Sequence, residues 1–77
     1  MVESAVVDVI ANYVNCQAAE ISFDTRLDAL GIDSLGAITI LYELEERFGI
    51  EIPNEVIESI TNVRDIVYHL ELILENR

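Results

Sequence analysis

The segment that follows Asp33 carries two apolar stripes, and this pattern constrains the fold more than any other feature of the chain. At helical spacings of three, four and seven residues, the first stripe consists of Ala37, Ile40, Leu41, Leu44 and Phe48. The second stripe is rotated well away from it and consists of Leu35, Ile38 and Tyr42. A helix in a small bundle normally needs one apolar face. The second stripe is therefore either a second buried side or a docking surface, and the pattern alone leaves both open.

This central helix is predicted to begin at Asp33 or Ser34, because both residue types are favoured at helix N-termini. Gly31 allows a tight turn before it, and Gly49 is a suitable residue to end it. Gly36 lies in the first turn, where it costs about 1 kcal/mol relative to Ala. We expect Gly36 to leave space for another molecule to approach.

Three further helices are predicted, over residues 2–14, from Asn54 to about Ile60, and from Val63 onward behind a Thr61 or Asn62 cap. The connection over residues 16–33 is long, but apolar residues recur along it, so an ordered loop is expected rather than a flexible linker. Asp24 and Thr25 are candidates to cap a helical turn through Leu30 in that loop. The predicted fold is all-α: an antiparallel bundle of three long helices and one short helix in a single domain over residues 1–77.

The charge of the chain is strongly negative. Fifteen Asp and Glu residues stand against four Arg and no Lys, for a formal net charge of −11. This balance argues against binding to nucleic acids or anionic membranes and favours basic protein partners. No segment has the length and apolarity of a membrane span, and no signal peptide is recognisable. The single cysteine, Cys16, fits a reducing cytoplasm, and a monomer is expected.

Catalysis finds little support in the sequence. Gly31 stands three residues before Ser34, whereas a nucleophile elbow needs glycine two residues before the serine. His69 is the only histidine, and it could act as a base only if the fold brought it to Ser34. One Cys and one His make no zinc site. A hydroxyl at a helix N-terminus does, however, suit a phosphodiester, but from these residues alone the interpretation of Asp33 and Ser34 as simple caps is favoured.

The motif Asp33-Ser34-Leu35 resembles the D-S-L signature of the acyl carrier proteins. The preceding Leu30-Gly31-Ile32 and the run from Leu44 to Pro53 are similar to the same family, and the best match covers about Phe23 to Pro53. The resemblance implies a phosphopantetheine-dependent carrier of the bacterial type II class, which is not itself an enzyme. D-S-L alone is a weak signal, but the similarity of the following run makes it strong.

The resemblance also implies residue roles. A phosphopantetheinyl transferase would move 4′-phosphopantetheine from coenzyme A to Ser34, and Asp33 would help that enzyme to hold its magnesium. The terminal thiol would carry acyl groups for fatty-acid, lipid or polyketide-type synthesis. The partner-facing residues would be Leu35, Ile38, Tyr42, Glu45 and Glu46, the two glutamates meeting basic docking patches of loading, synthase or acyltransferase enzymes. The side chains that resemble an acyl-sheltering lining, and are also plain core, are Ile40, Leu44, Val56, Ile57 and Ile60.

Some residues depart from the family pattern. Housekeeping fatty-acid carriers usually have acidic residues where Gly36 and Thr39 stand, and Asn54 replaces a common Asp. These departures favour a specialised carrier for a dedicated pathway. Two alternatives remain: a D-alanyl or other aminoacyl carrier, and an acidic helical adaptor that docks through Leu35, Ile38 and Tyr42 with Ser34 as a mere cap.

Overall fold

The computed structural model describes residues 2–76. Within that range there are four α-helices and no strand: α1 spans Val2–Val14, α2 spans Ser34–Phe48, α3 spans Asn54–Ser59 and α4 spans Val63–Glu75. The prediction of an all-α fold with three long helices and one short one is confirmed. None of these helices combines the length and the apolar character that a membrane crossing requires.

The core forms where α1 packs against both α2 and α4, while α3 meets α2. Each long helix supplies side chains that are less than 2% exposed; they are Val6 and Ile10, then Ile40, Leu41 and Leu44, then Val63, Ile66 and Leu70. Ala37 and Phe48 are partly buried against this cluster. The first stripe of α2 is therefore the core-facing side, as its spacing predicted.

The loop between α1 and α2 is ordered because its backbone pairs with the segment that leads into α4. The Leu27 N–H donates to the Thr61 carbonyl at 3.0 Å, and the Val63 N–H donates to the Thr25 carbonyl at 3.1 Å. Asp24 forms an ion pair with Arg64. Short 3-10 turns occupy Ala18–Glu20 and Asp28–Leu30. A helical turn through Leu30 thus exists, but Asp24 and Thr25 contact the start of α4 instead of capping that turn.

The start of α4 is closed by its own side chains. Asn62 is the N-cap, and its Oδ1 accepts a hydrogen bond from the Asp65 N–H at 2.9 Å. In return, Asp65 Oδ2 accepts from the backbone N–H of Thr61 at 2.9 Å, from the Thr61 hydroxyl at 2.8 Å and from the Asn62 N–H at 3.3 Å. The Thr61 N–H, helped by these other donors, lowers the pKa of Asp65 against the opposing effect of partial burial.

Candidate functional site

The loop turns sharply into α2 at Gly31 and delivers Ser34 to the surface. Gly31 has a left-handed backbone with φ of 77°, a conformation that glycine adopts without strain. The Ile32 N–H donates to the Leu27 carbonyl at 3.0 Å, and the Ile32 side chain is buried. Asp33 then takes an extended backbone as the N-cap. As a result Ser34 is the first residue of α2, and its side chain is exposed.

Asp33 organises the first turn of α2 with one carboxylate oxygen. Its Oδ1 accepts a hydrogen bond from the Gly36 N–H at 2.8 Å, and its carbonyl accepts from the Ala37 N–H at 2.9 Å. No acidic residue lies within the first turn itself. Because Ser34 is the first residue of α2, its hydroxyl lies close to the positive end of the helix dipole, which favours a negatively charged substituent.

A cleft of about 620 Å³ opens beside Ser34. Its apolar walls come from the loop, α2 and the segment around α3; they are Leu27, Ile32, Ala37, Ile38, Ile57 and Ile60. Its polar rim consists of Arg26, Asp28, Asp33, Ser34, Glu58 and Thr61. A phosphodiester attached to the exposed Ser34 hydroxyl would begin at this rim, so the residues present fit a phosphate-linked arm that carries an apolar group.

The expected acyl-sheltering residues divide between the cleft and the core. Ile57 and Ile60 line the cleft. Ile40 and Leu44 are 1% and 0% exposed and belong to the core, because they point toward the centre of the bundle. Val56 is partly buried against that core and is not part of the cleft wall. The structure thus confirms the core interpretation of Ile40 and Leu44, and the acyl-sheltering role of Ile40, Leu44 and Val56 stays a prediction.

The second stripe of α2 is also divided. Leu35 and Tyr42 are 73% and 61% exposed, as a docking surface requires. Ile38 is partly buried and lines the cleft, because it lies one helical turn after Ser34 on the same side of α2. The sequence pattern grouped Ile38 with Leu35 and Tyr42 because the three share one broad side of the helical wheel.

The two glutamates assigned to the docking face have different surroundings. Glu46 is exposed, whereas Glu45 is partly buried and its Oε2 accepts a hydrogen bond from the Ile52 N–H at 2.6 Å. Glu45 therefore holds the chain after α2 in place. Pro53 was the available signal, since it forces Ile52 out of helical geometry and leaves an amide that needs an acceptor.

Gly36 does not leave space for an external molecule. It is buried, and a Cβ at this position would lie 2.7 Å from Tyr13 Oη and 3.0 Å from Ile32 Cγ2. The expectation from sequence was therefore wrong: the missing side chain makes room for Tyr13 of α1. The sequence pattern of either helix alone could not reveal this contact, because it joins residues that are far apart in the chain.

The residues considered for catalysis are not assembled with Ser34. His69 is absent from the cleft lining and makes an edge-on ring contact with Tyr68, the centroids 5.2 Å apart. Cys16 is partly buried near the end of α1, and its thiol donates to the Gln17 carbonyl at 3.5 Å. Within residues 2–76, no group of three or more His, Cys, Asp and Glu side chains is arranged to hold a metal ion.

Arg26 and Asp28 were not identified as site residues from the sequence, yet both line the cleft. Arg26 Nε donates to Asp28 Oδ1 at 3.0 Å, and its Nη2 donates to Asp28 Oδ2 at 3.1 Å. The hydrogen bonds from Arg26 lower the pKa of Asp28, and Asp28 in turn raises the pKa of Arg26. Their two-residue spacing in the loop was the only sequence signal for this pair.

Comparison with known proteins identifies the family. Residues 4–70 match the family described as the phosphopantetheine attachment site. An acyl carrier protein of Helicobacter acinonychis is 42% identical over 64 residues, which cover 82% of each chain. Acyl carrier proteins of Clostridium acetobutylicum and Rickettsia bellii are 38% and 37% identical, over 92% and 91% of this chain and 94% and 83% of their own. The family comprises carriers rather than enzymes, and its members work with synthases and transferases. The chain belongs to the acyl carrier protein family and carries acyl groups on 4′-phosphopantetheine.

Proposed function

We propose that Ser34 is the residue that bears the 4′-phosphopantetheine. The observation that carries this assignment is the position of its exposed hydroxyl, on the first residue of α2 and at the rim of the apolar cleft. Asp33 and Leu35 flank it as the rest of the D-S-L motif. The 77 residues act as one carrier domain in this proposal.

Asp33 and the N-terminus of α2 would each assist the attachment of phosphopantetheine to Ser34. Asp33 uses Oδ1 to cap α2, and we assign its other oxygen to the magnesium ion of the phosphopantetheinyl transferase. The start of α2 stabilises the negative charge of a phosphodiester on Ser34. When attached, the prosthetic group supplies a terminal thiol that binds the acyl chain as a thioester.

The cleft is proposed to shelter the carried acyl group. Ile57 and Ile60 supply its wall from the segment around α3, and Ile38 supplies it from α2. Burial of apolar carbon against these side chains stabilises the sheltered state by about 0.8 kcal/mol for each CH₂ group removed from water. Ile40, Leu44 and Val56 lie behind this wall and keep it in position.

The outer surface of α2 is proposed to dock partner enzymes. Leu35 and Tyr42 provide exposed apolar area, Ile38 lies at its edge, and Glu45 and Glu46 add acidic character. The partners are a phosphopantetheinyl transferase and the loading, synthase or acyltransferase enzymes of fatty-acid, lipid or polyketide-type synthesis. We assign this work to the cytoplasm and to a monomeric carrier.

The attachment site is tested by measuring intact mass after incubation with coenzyme A and a phosphopantetheinyl transferase. The wild-type chain should gain the mass of one phosphopantetheine group, and Ser34→Ala should gain none. Peptide mapping should place the addition on Ser34. An unmodified wild-type chain would favour the adaptor alternative, and modification of Ser34→Ala would rule out Ser34 as the site.

The docking surface is tested by measuring unfolding free energy beside modification rate. Leu44→Ala should cost about 2–5 kcal/mol, because it empties a core position. Tyr42→Ala should change stability by less than about 0.5 kcal/mol but slow modification, since its side chain is exposed. Tyr68→Ala is the matched control, an exposed tyrosine on α4 whose loss should leave the rate unchanged.

Glu45→Lys needs both measurements. Because Glu45 accepts the Ile52 N–H, its replacement should lower stability as well as slow association with basic partners. Glu46→Lys provides the comparison, because Glu46 is exposed. A docking role for Glu45 predicts that the rate falls for both variants while stability falls for Glu45→Lys alone.

A further inference from the structure

The exposed side of α2 is uncharged over its first half. Its outermost side chains follow one stripe at spacings of four, three and four residues; they are Leu35, Thr39, Tyr42 and Glu46. No charged residue occurs in α2 before Glu43. The Thr39 hydroxyl donates to the Leu35 carbonyl at 2.9 Å, so its hydrogen is already used within the helix. A partner that contacts the first two turns meets apolar surface.

Tyr13 extends this uncharged surface onto α1. Its ring occupies the space that a side chain at Gly36 would need, and it is 47% exposed. A shallow groove between the two helices is lined by Asn12, Tyr13, Thr39 and Glu43. An aromatic side chain of α1 therefore stands beside the start of α2, at the place where position 36 would otherwise present its own side chain.

The carboxylates of α2 are only partly available to a partner. Glu45 accepts the Ile52 N–H, and Glu43 Oε2 lies 3.9 Å from Arg47 Nη2. Glu46 is exposed and continues the stripe of Leu35 and Tyr42. The negative charge that a partner meets on this stripe is thus displaced toward the C-terminal half of α2.

We infer that the enzymes serving this carrier dock through a neutral, apolar contact with Tyr13, Leu35, Thr39 and Tyr42, and place their basic side chains only against the second half of α2, where Glu43 and Glu46 are exposed. The uncharged half of the surface determines which part of the partner is apolar, and the positions of Glu43 and Glu46 determine where its cations lie. This inference rests on the proposed function, because the docked enzyme must reach Ser34.

The first test introduces a charge into the uncharged half. The probe is a phosphopantetheinyl transferase that modifies this carrier, and kcat/KM for modification is measured at low and high salt. Thr39→Glu should lower kcat/KM several-fold at both salt concentrations, because the new carboxylate would lie against the apolar part of the partner and lose its hydration. Tyr68→Glu has the same net charge and should produce no such loss. A gain in kcat/KM for Thr39→Glu at low salt would show that the partner holds a cation opposite position 39 and would overturn the inference.

The second test removes apolar area. Tyr42→Ala should lower kcat/KM by about tenfold at both salt concentrations, because the lost contact is apolar and salt does not screen it. Tyr13→Gln should lower it several-fold while Tyr68→Gln does not, with unfolding measurements confirming that each variant is folded. Losses that disappear at high salt would overturn the inference. A wild-type chain that is never modified at Ser34 would instead contradict the proposed function itself.

Discussion

The N-termini of α2 and α4 are both capped by Asp or Asn side chains, but the two caps differ in how many backbone N–H groups they satisfy. At α4, the side chains of Asn62 and Asp65 each accept a hydrogen bond from the backbone N–H of the other residue. Asp65 also accepts hydrogen bonds from the backbone N–H and the hydroxyl of Thr61. At α2, Asp33 supplies one side-chain hydrogen bond, to Gly36, and the next residue is an exposed serine. The start of α4 is closed, because Asp65 accepts three hydrogen bonds there, whereas the start of α2 is open, because Asp33 accepts one through its side chain and the neighbouring Ser34 is exposed.

The difference separates a structural role from a functional one. A carboxylate in the first turn of α4 neutralises the helix dipole and ties the loop between α1 and α2 to that helix, through Thr61 and Leu27. At α2 the carboxylate is that of the N-cap Asp33, which accepts one N–H and offsets part of the dipole, and the exposed Ser34 hydroxyl beside it leaves room for a phosphodiester. The closed start should therefore matter most to stability, and the open start most to modification.

Of the two helix starts, the closed start of α4 should show the larger effect on stability. Asp65→Ala removes the acceptor of three hydrogen bonds, and we expect the free energy of unfolding to fall by about 2 kcal/mol. Urea denaturation measures this loss. Modification of Ser34 in the folded fraction should be unchanged. If Asp65→Ala loses less stability than Asp33→Ala at the start of α2, the start of α4 does not have the larger structural role.

Asp33→Ala should have a smaller effect on stability. It removes the single cap of α2, so we expect a loss of about 1 kcal/mol in the same urea experiment. Its effect on the transferase should be the greater one, because Asp33 is assigned to the magnesium ion of that enzyme. Asp33→Asn serves as the control, since its amide oxygen still caps the helix but carries no charge. If Asp33→Asn is modified as fast as the wild type, the magnesium assignment is wrong.

Lowering the pH should remove the stability that Asp65 supplies at the start of α4. The pKa of Asp65 is lowered by the Thr61 N–H, so its folded-state value lies below its unfolded value of about 3.9. The stability that this carboxylate supplies is complete above the unfolded value and is lost as pH falls through the folded one. The stability difference between wild type and Asp65→Asn should accordingly shrink as pH falls below about 4. A difference that stays constant with pH would contradict this origin.

Ser34→Ala should change stability least, by less than about 0.5 kcal/mol, because the side chain is exposed and Asp33 still caps the helix. Thermal or urea unfolding of the apo protein measures it. The same variant abolishes modification if Ser34 is the site. A large loss of stability would instead indicate that the hydroxyl is a structural part of the turn.

Local patterns in the sequence determined the helices and the face that each one buries. The spacing of Ile40 and Leu44 identified the core side of α2, because a buried stripe must repeat with the helical period. The D-S-L motif and its surroundings identified the family and the candidate attachment residue, because both are properties of consecutive residues. None of these conclusions required knowledge of which helices touch.

Contacts between distant residues were decided only by the tertiary structure. Gly36 accommodates Tyr13, Glu45 binds the Ile52 amide, and Asp24 pairs with Arg64. The structure also placed Ile38 in the cleft and Ile40 in the core, although both lie on α2 and both are isoleucine. The helical period gives the direction of a side chain relative to its own helix axis. Which element lies in that direction, and whether a cleft remains there, depends on how the helices pack against one another.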